Sequence, residues 1–160
     1  MSKKILASIL CIALLMTSLG MVSSAAEDSE NINHVVYLNE DGEEIPVPYW
    51  DYTATTGISL DFQNGRVYMT ATVDGHQNLC SYITARAQLE KKNSDGSYSV
   101  VVTYLDLTSK NEPLPSCFTF SRNRLASVNE SYRFTLYATV YGKDGGSEPI
   151  TLQTTGTYYP

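Results

Sequence analysis

From Glu130 to Gly142 polar and apolar positions alternate. Tyr132, Phe134, Leu136, Ala138 and Val140 fall on one side of an extended chain, and Arg133, Thr135, Tyr137, Thr139 and Tyr141 on the other. A period of two is that of a half-buried β-strand. It recurs at Ile58, Leu60 and Phe62, at Val67, Met69, Ala71 and Val73, and at Ile83, Ala85, Ala87 and Leu89. Turn signals separate the runs: Asn64-Gly65, Asp74-Gly75, Asp95-Gly96 and Asp144-Gly145-Gly146. The spacing predicts strands at 57–63, 66–74, 79–92, 97–107, 116–121, 131–142 and 148–158. The 97–107 stretch is apolar on both sides, so its facing is left open. Beyond the first 26 residues no window sustains the spacing of a helix. Seven strands separated by short turns imply an all-β fold, a seven-stranded antiparallel sandwich.

The order of these strands resembles an immunoglobulin-like or fibronectin type III-like domain. The resemblance implies that the first, second and fifth strands form one sheet and the other four form the facing sheet. It also implies that Tyr132, which follows Val128-Asn129-Glu130-Ser131, is a corner residue whose hydroxyl bonds to backbone just upstream. Two features depart from the family pattern. The single tryptophan, Trp50, precedes the first body strand, and Cys80 and Cys117 do not lie in the second and sixth strands. The chain is also similar to small exported single-domain proteins of Gram-positive bacteria that carry such a sandwich and have no assigned activity.

The first residues bear on the compartment. Met1-Ser-Lys-Lys4 is basic, Ile5 to Val22 is mostly apolar, and Ser23-Ser24-Ala25-Ala26 is small before the acids begin at Glu27. This is the layout of a secretory signal peptide over residues 1–26, cleaved after Ala25 or Ala26. An uncleaved membrane anchor is the competing reading, and the small residues before Glu27 favour cleavage. Cys11 lies inside the apolar run and would leave with it. The expected product is secreted, with no stable membrane span after processing.

Removal of Lys3 and Lys4 leaves nine basic against 17 acidic residues, a net charge of −8. Eight of those acids fall within residues 27–51, which hold no Lys or Arg, while 52–160 is neutral. The chain therefore divides into an acidic arm (27–51), in which Asp41-Gly42 is read as the turn of a small hairpin, and a β-sandwich domain (52–160). The acidity disfavours nucleic acid as a partner. Cys80 and Cys117 remain after processing; in an exported chain such a pair usually forms one disulfide, the alternative being two separate thiols.

Candidate chemistry is sparse. His34 and His76 are the only histidines. Asp74-Gly75-His76 pairs a carboxylate with an imidazole, but no serine or cysteine accompanies them in a nucleophile signature, and a zinc site needs more ligands. Asn39-Glu40-Asp41-Gly42 lacks the first and last acids of a calcium loop and reads as a turn. The acids Asp61, Asp74, Glu90 and Asp106 are scattered singly. No enzyme activity, cofactor or metal is expected.

What remains is the polar side of the 131–142 strand. Parity sets Tyr137 and Tyr141 beside Tyr82, Thr84, Arg86 and Gln88 of the neighbouring strand, and beside Thr151, Gln153 and Thr155. Tyrosine offers large contact area at low entropic cost. Tyr82, Arg86, Tyr137 and Tyr141 are therefore the candidate binding residues of a non-catalytic module for a cell-wall glycan or an extracellular protein. Tyr and Thr also suit any exposed strand, so a structural or accessory extracellular domain with no ligand is the alternative.

Overall fold

The computed structural model describes residues 35–39, 41–46 and 50–159. The expected signal peptide and cleavage site lie outside the described residues, as does His34. The described residues form nine strands and no helix: β1 (Val36–Leu38), β2 (Glu44–Ile45), β3 (Thr53–Gln63), β4 (Arg66–Gly75), β5 (Cys80–Lys92), β6 (Tyr98–Thr108), β7 (Cys117–Leu125), β8 (Ser131–Gly142) and β9 (Ser147–Thr157). They build a six-stranded sheet in the order β2-β1-β9-β8-β5-β6 and a three-stranded sheet in the order β3-β4-β7. All pairings are antiparallel. Among the described residues no helix is long and apolar enough to cross a membrane.

The alternating residues supply the core. Leu60, Val67, Met69 and Val73 from the smaller sheet and Ile83, Ala87, Leu89, Phe134, Leu136, Val140 and Leu152 from the larger one are fully buried in a single cluster. Phe118 and Phe120 join from β7, and Phe120 stacks on Phe134 with centroids 5.7 Å apart. The β3–β4 connection is the two-residue turn Asn64-Gly65, with φ of 51° and 71°. Positive φ at both positions is what a tight hairpin turn requires, and Asn-Gly adopts it most readily.

Two predicted strands are longer than the alternation showed. β3 begins at Thr53 rather than 57, because its first residues pair with Asp74 and Gly75 of β4. β7 runs on to Leu125, pairing along β4 as far as Arg66. Alternation fades in the β7 extension because residues 122–125 are exposed, and in the β3 extension because the buried position is the polar Thr53, whose N–H and hydroxyl are satisfied by Glu148.

The strand count also departs from seven. β1 and β2 of the acidic arm form the edge of the larger sheet, with Val36, Tyr37 and Leu38 opposite Gln153, Leu152 and Thr151. Tyr37 turns inward, meets Trp50 edge-on at 5.5 Å and shares a hydrogen bond with Thr56. Asn39 closes the hairpin by accepting the Asp41 and Glu43 N–H groups through its side-chain oxygen.

The chain after Trp50 is fastened to the β8–β9 hairpin by two carboxylates. Glu148 accepts the N–H groups of Asp51, Tyr52 and Thr53 and, at 2.7 Å, the Thr53 hydroxyl. The Tyr52 hydroxyl donates to Asp144, whose two oxygens lie 3.0 and 2.9 Å away. The Tyr52 ring lies flush on the hairpin, where a β-carbon at Gly142 or Gly146 would collide with it. At the opposite end Tyr132 is buried at 3% exposure, and its hydroxyl accepts the Ser127 N–H at 2.9 Å. Phe62 packs between Tyr132 and Tyr158, and the Tyr158 hydroxyl accepts the Gly65 N–H.

Two outcomes follow. Phe134→Ala should lower stability by about 3–5 kcal/mol, the cost of lost burial plus a cavity. Tyr132→Phe should cost only about 1 kcal/mol, because Ser127 is exposed and water can replace the lost acceptor. Denaturant melts of the two variants check this order, and equal losses would contradict it.

The Tyr52–Asp144 bond carries a pH signature. The Gly146 N–H, and then the Tyr52 hydroxyl, hold the Asp144 carboxyl below its usual range. Hydrogen bonding to Asp144 in turn raises the Tyr52 phenol above its usual value. The depressed acid stabilises the fold above its unfolded pKa of about 3.9 and loses that contribution as pH falls through the folded value. The raised phenol contributes fully below about pH 10 and loses its contribution as pH climbs through the folded value. The advantage of the native protein over Tyr52→Phe should therefore be level across neutral pH and shrink past both limits. Thermal melts across pH test it, and a constant difference would refute it.

Candidate functional site

The outer face of the larger sheet is set by the β5–β8 register. Tyr82 lies opposite Tyr141, Thr84 opposite Thr139, Arg86 opposite Tyr137, Gln88 opposite Thr135 and Glu90 opposite Arg133. β9 continues the rows with Thr151 beside Tyr137 and Gln153 beside Thr135. The alternate residues of β8 are buried, so this parity cannot slip without burying the polar row.

The face has two zones. Near the start of β8, Arg133 donates to Glu90 at 2.7 Å and its guanidinium lies 4.0 Å above the Tyr98 ring. The Glu90 hydrogen bond holds the Arg133 guanidinium above its usual range. Gln153 donates to Thr135 at 3.1 Å, and Thr135 is almost inaccessible although it faces outward. This zone is a closed mosaic in which polar groups satisfy one another.

Toward the end of β8 the surface opens into a groove of about 740 Å³, whose walls include Tyr82, Arg86, Leu105, Lys110, Tyr137 and Thr151. Tyr82 stacks on Tyr141 with centroids 4.6 Å apart and planes 17° from parallel. The Arg86 guanidinium lies 4.2 Å over the Tyr137 ring, and the Lys110 amine 5.3 Å from the Tyr82 ring centre. Tyr82, Tyr137 and Tyr141 are half-buried and Arg86 is exposed. Three of the four residues expected from sequence line the groove, and Tyr141 supports Tyr82 from beside it.

Lys110, Leu105 and Asp106 were not foreseen. Lys110 is placed by its neighbours: buried Ser109 exchanges hydrogen bonds with the Ile83 N–H and C=O, and the Thr108 hydroxyl accepts the Lys110 N–H. These bonds turn the chain back over β5 and set Lys110 above Tyr82. Leu105 and Asp106 line the groove because β6 shifts register between Ala85 and Ala87, with Asp106 at φ 55°. An open-ended apolar run gives no sequence signal for such a bulge.

The expected Cys80–Cys117 disulfide is not present; both are free thiols. The two cysteines do come to one end of the sandwich, Cys117 opposite Asp74 in the ladder and Cys80 against Gly75. Each sulfur has a separate neighbour, the Tyr82 carbonyl for Cys80 and the Asp74 side chain for Cys117. Burial is the main cause pushing both thiols above their usual range, which keeps them protonated and poor nucleophiles at neutral pH. His76 serves the adjoining turn through its backbone, giving its N–H to the Tyr52 carbonyl and accepting from Leu79 and Cys80. Among the described residues no three His, Cys, Asp or Glu side chains gather as metal ligands. The sequence matches no protein-family model and no curated relative.

Unfolding the freshly isolated protein in denaturant without reductant should release two titratable thiols at Cys80 and Cys117. A thiol count of zero at these positions would restore the disulfide.

Proposed function

We propose that the chain is an exported, non-catalytic binding module built on an immunoglobulin-like or fibronectin type III-like β-sandwich. It recognises an extracellular ligand, a glycan or a surface protein, through the outer face of the larger sheet. The observation that carries this reading is the convergence of Tyr82, Arg86, Tyr137 and Lys110 on one open groove. Of the two ligand classes a surface protein fits better. Sugars stack on free aromatic faces, and here Tyr82 is flanked by Tyr141 and Lys110 while Tyr137 is covered by Arg86. What the groove offers is phenol edges, two cations, one carboxylate (Asp106) and the apolar wall of Leu105, a mixed surface suited to a polypeptide that carries both apolar and charged side chains.

A structural or accessory domain is the second reading. The closed mosaic of Arg133, Glu90, Tyr98, Thr135 and Gln153 favours it, because these groups stabilise the sheet with no ligand.

Arg86→Ala and Tyr137→Ala separate the two. Each removes a partly solvated contact and should cost no more than about 1 kcal/mol of stability. Capture of extracellular proteins by the purified chain should be lost in both variants while the fold survives. Capture unchanged by either substitution, or seen equally with purified cell-wall glycan, would overturn the protein-binding reading.

A further inference from the structure

Asn64-Gly65 is the one Asn-Gly dipeptide in the chain; every other asparagine is followed by a residue with a side chain. That difference carries chemistry as well as conformation. The backbone nitrogen that follows an asparagine can attack the side-chain amide carbon, and a side chain on the following residue obstructs the attack. Glycine offers no obstruction, and even a β-carbon at Gly65 would meet nothing within 4 Å, so the approach is open. Asn64 is exposed, so water reaches the product. The two residues that suit the tight turn best are therefore also the two most prone to react with each other. In that reaction the Gly65 nitrogen gives up its proton and bonds to the Asn64 Cγ. The side-chain nitrogen takes up the proton and leaves as ammonia. Water then opens the cyclic imide at either carbonyl, giving aspartate or its β-linked isomer. Either product adds one negative charge, and the β-linked one also lengthens the turn backbone by a methylene.

The folded chain withholds the nucleophile. The Gly65 N–H donates to the Tyr158 hydroxyl at 2.9 Å, so the proton that must leave is held in a hydrogen bond. The Gly65 carbonyl accepts the Ala126 N–H, also at 2.9 Å, which fixes the same residue from its other side. A backbone amide bonded in this way loses its proton only when the structure opens locally. Tyr158 is itself fixed. Its N–H donates to the Glu130 carbonyl at 3.1 Å, its carbonyl accepts the Asn129 N–H at 2.8 Å, and its ring stacks on Phe62 with centroids 5.7 Å apart. It follows the last residue of β9, where no strand ladder calls for a particular side chain. A phenylalanine would serve the stack on Phe62 as well. The hydroxyl serves Gly65.

We infer that Asn64 is a deamidation site held latent by the Tyr158 hydroxyl, so that a residue near the C-terminus sets the chemical lifetime of the β3–β4 turn. The inference stands apart from the groove reading, since it involves neither the groove nor a ligand. The test incubates the native protein and Tyr158→Phe at mildly alkaline pH, folded and, in parallel, unfolded in denaturant, and follows conversion at Asn64 by peptide mass mapping. Unfolded, the two chains should convert at the same rate. Folded, the native chain should convert many-fold more slowly than unfolded, and Tyr158→Phe severalfold faster than the folded native chain. Amide exchange at Gly65 reports loss of the same proton and should quicken with it, while exchange at Leu136 in the core stays as in the native protein. A folded native chain that converts as fast as the unfolded one overturns the inference without reference to any variant. So does a Tyr158→Phe chain that converts no faster than the native one, or whose exchange at Leu136 quickens as much as at Gly65, which would assign the effect to general unfolding.

Discussion

β8 is paired along its whole length on both sides, with β5 and with β9, and the rest of the larger sheet takes its orientation from that double ladder. A strand flanked on both edges cannot shift by one residue without moving Phe134, Leu136 and Val140 into solvent and a row of Arg, Thr and Tyr into the core. The energetic stake is the burial of those side chains, each worth on the order of 2 kcal/mol. The outer face of tyrosines and cations is therefore a by-product of core selection. Once Phe134 and Leu136 are committed inward, Tyr137 must stand beside Arg86 and Tyr141 beside Tyr82. The Arg86–Tyr137 contact and the Tyr82–Tyr141 ring stack come from a register that hydrophobic burial has already chosen.

That logic explains what could be read from the chain alone. Where one face is buried and the other solvated, as in β4 and β8, alternation reports both strand and facing, and Val67, Met69, Ala71 and Val73 lie inward as their spacing implies. Asn64-Gly65 fixed its own turn through local backbone preference. The division of these seven strands between the two sheets is the one the resemblance implies. Legibility failed where the selecting force was not one-sided burial. β6 is apolar on both sides because its inner side meets the core, while on its outer side Tyr98 lies under the Arg133 guanidinium and Leu105 lines the groove beside Arg86 and Lys110. The added residues of β7 are exposed, and the buried position in the β3 extension is a threonine bonded to Glu148, so neither shows an apolar face. Lys110 is positioned by Ser109 and Thr108 bonding to a neighbouring strand, and no periodicity encodes that. The cysteines came to the same end of the sandwich, but proximity of strand ends does not set where a thiol points.

Among the described residues of the acidic segment, Asp41, Glu43 and Glu44 lie exposed on the hairpin that borders β9, so their charge is displayed at a sheet edge. Such charges at the β2 border oppose further strand addition on that side. The fastening of Asp51, Tyr52 and Thr53 by Glu148 and Asp144 then relates the hairpin to the body through the β8–β9 turn. This contact depends on backbone N–H donors more than on side-chain identity. It was invisible in the sequence, where Glu148 looks like any surface acid.

The pairing of β1 with β9 has a kinetic meaning. The first described strand and the last one are neighbours, separated in sequence by almost the whole domain, so the loop closed by their contact is nearly as long as it can be. Contacts of that span are assembled late, after shorter-range hairpins such as β3–β4 and β8–β9 have formed. A polypeptide delivered with its N-terminus first must hold Tyr37 and Trp50 without their native surroundings until the final residues arrive. The N-terminal hairpin thereby acts as a completion mark: its docking registers that the C-terminal strand is in place, and a chain truncated before β9 has no ladder on which to lay it.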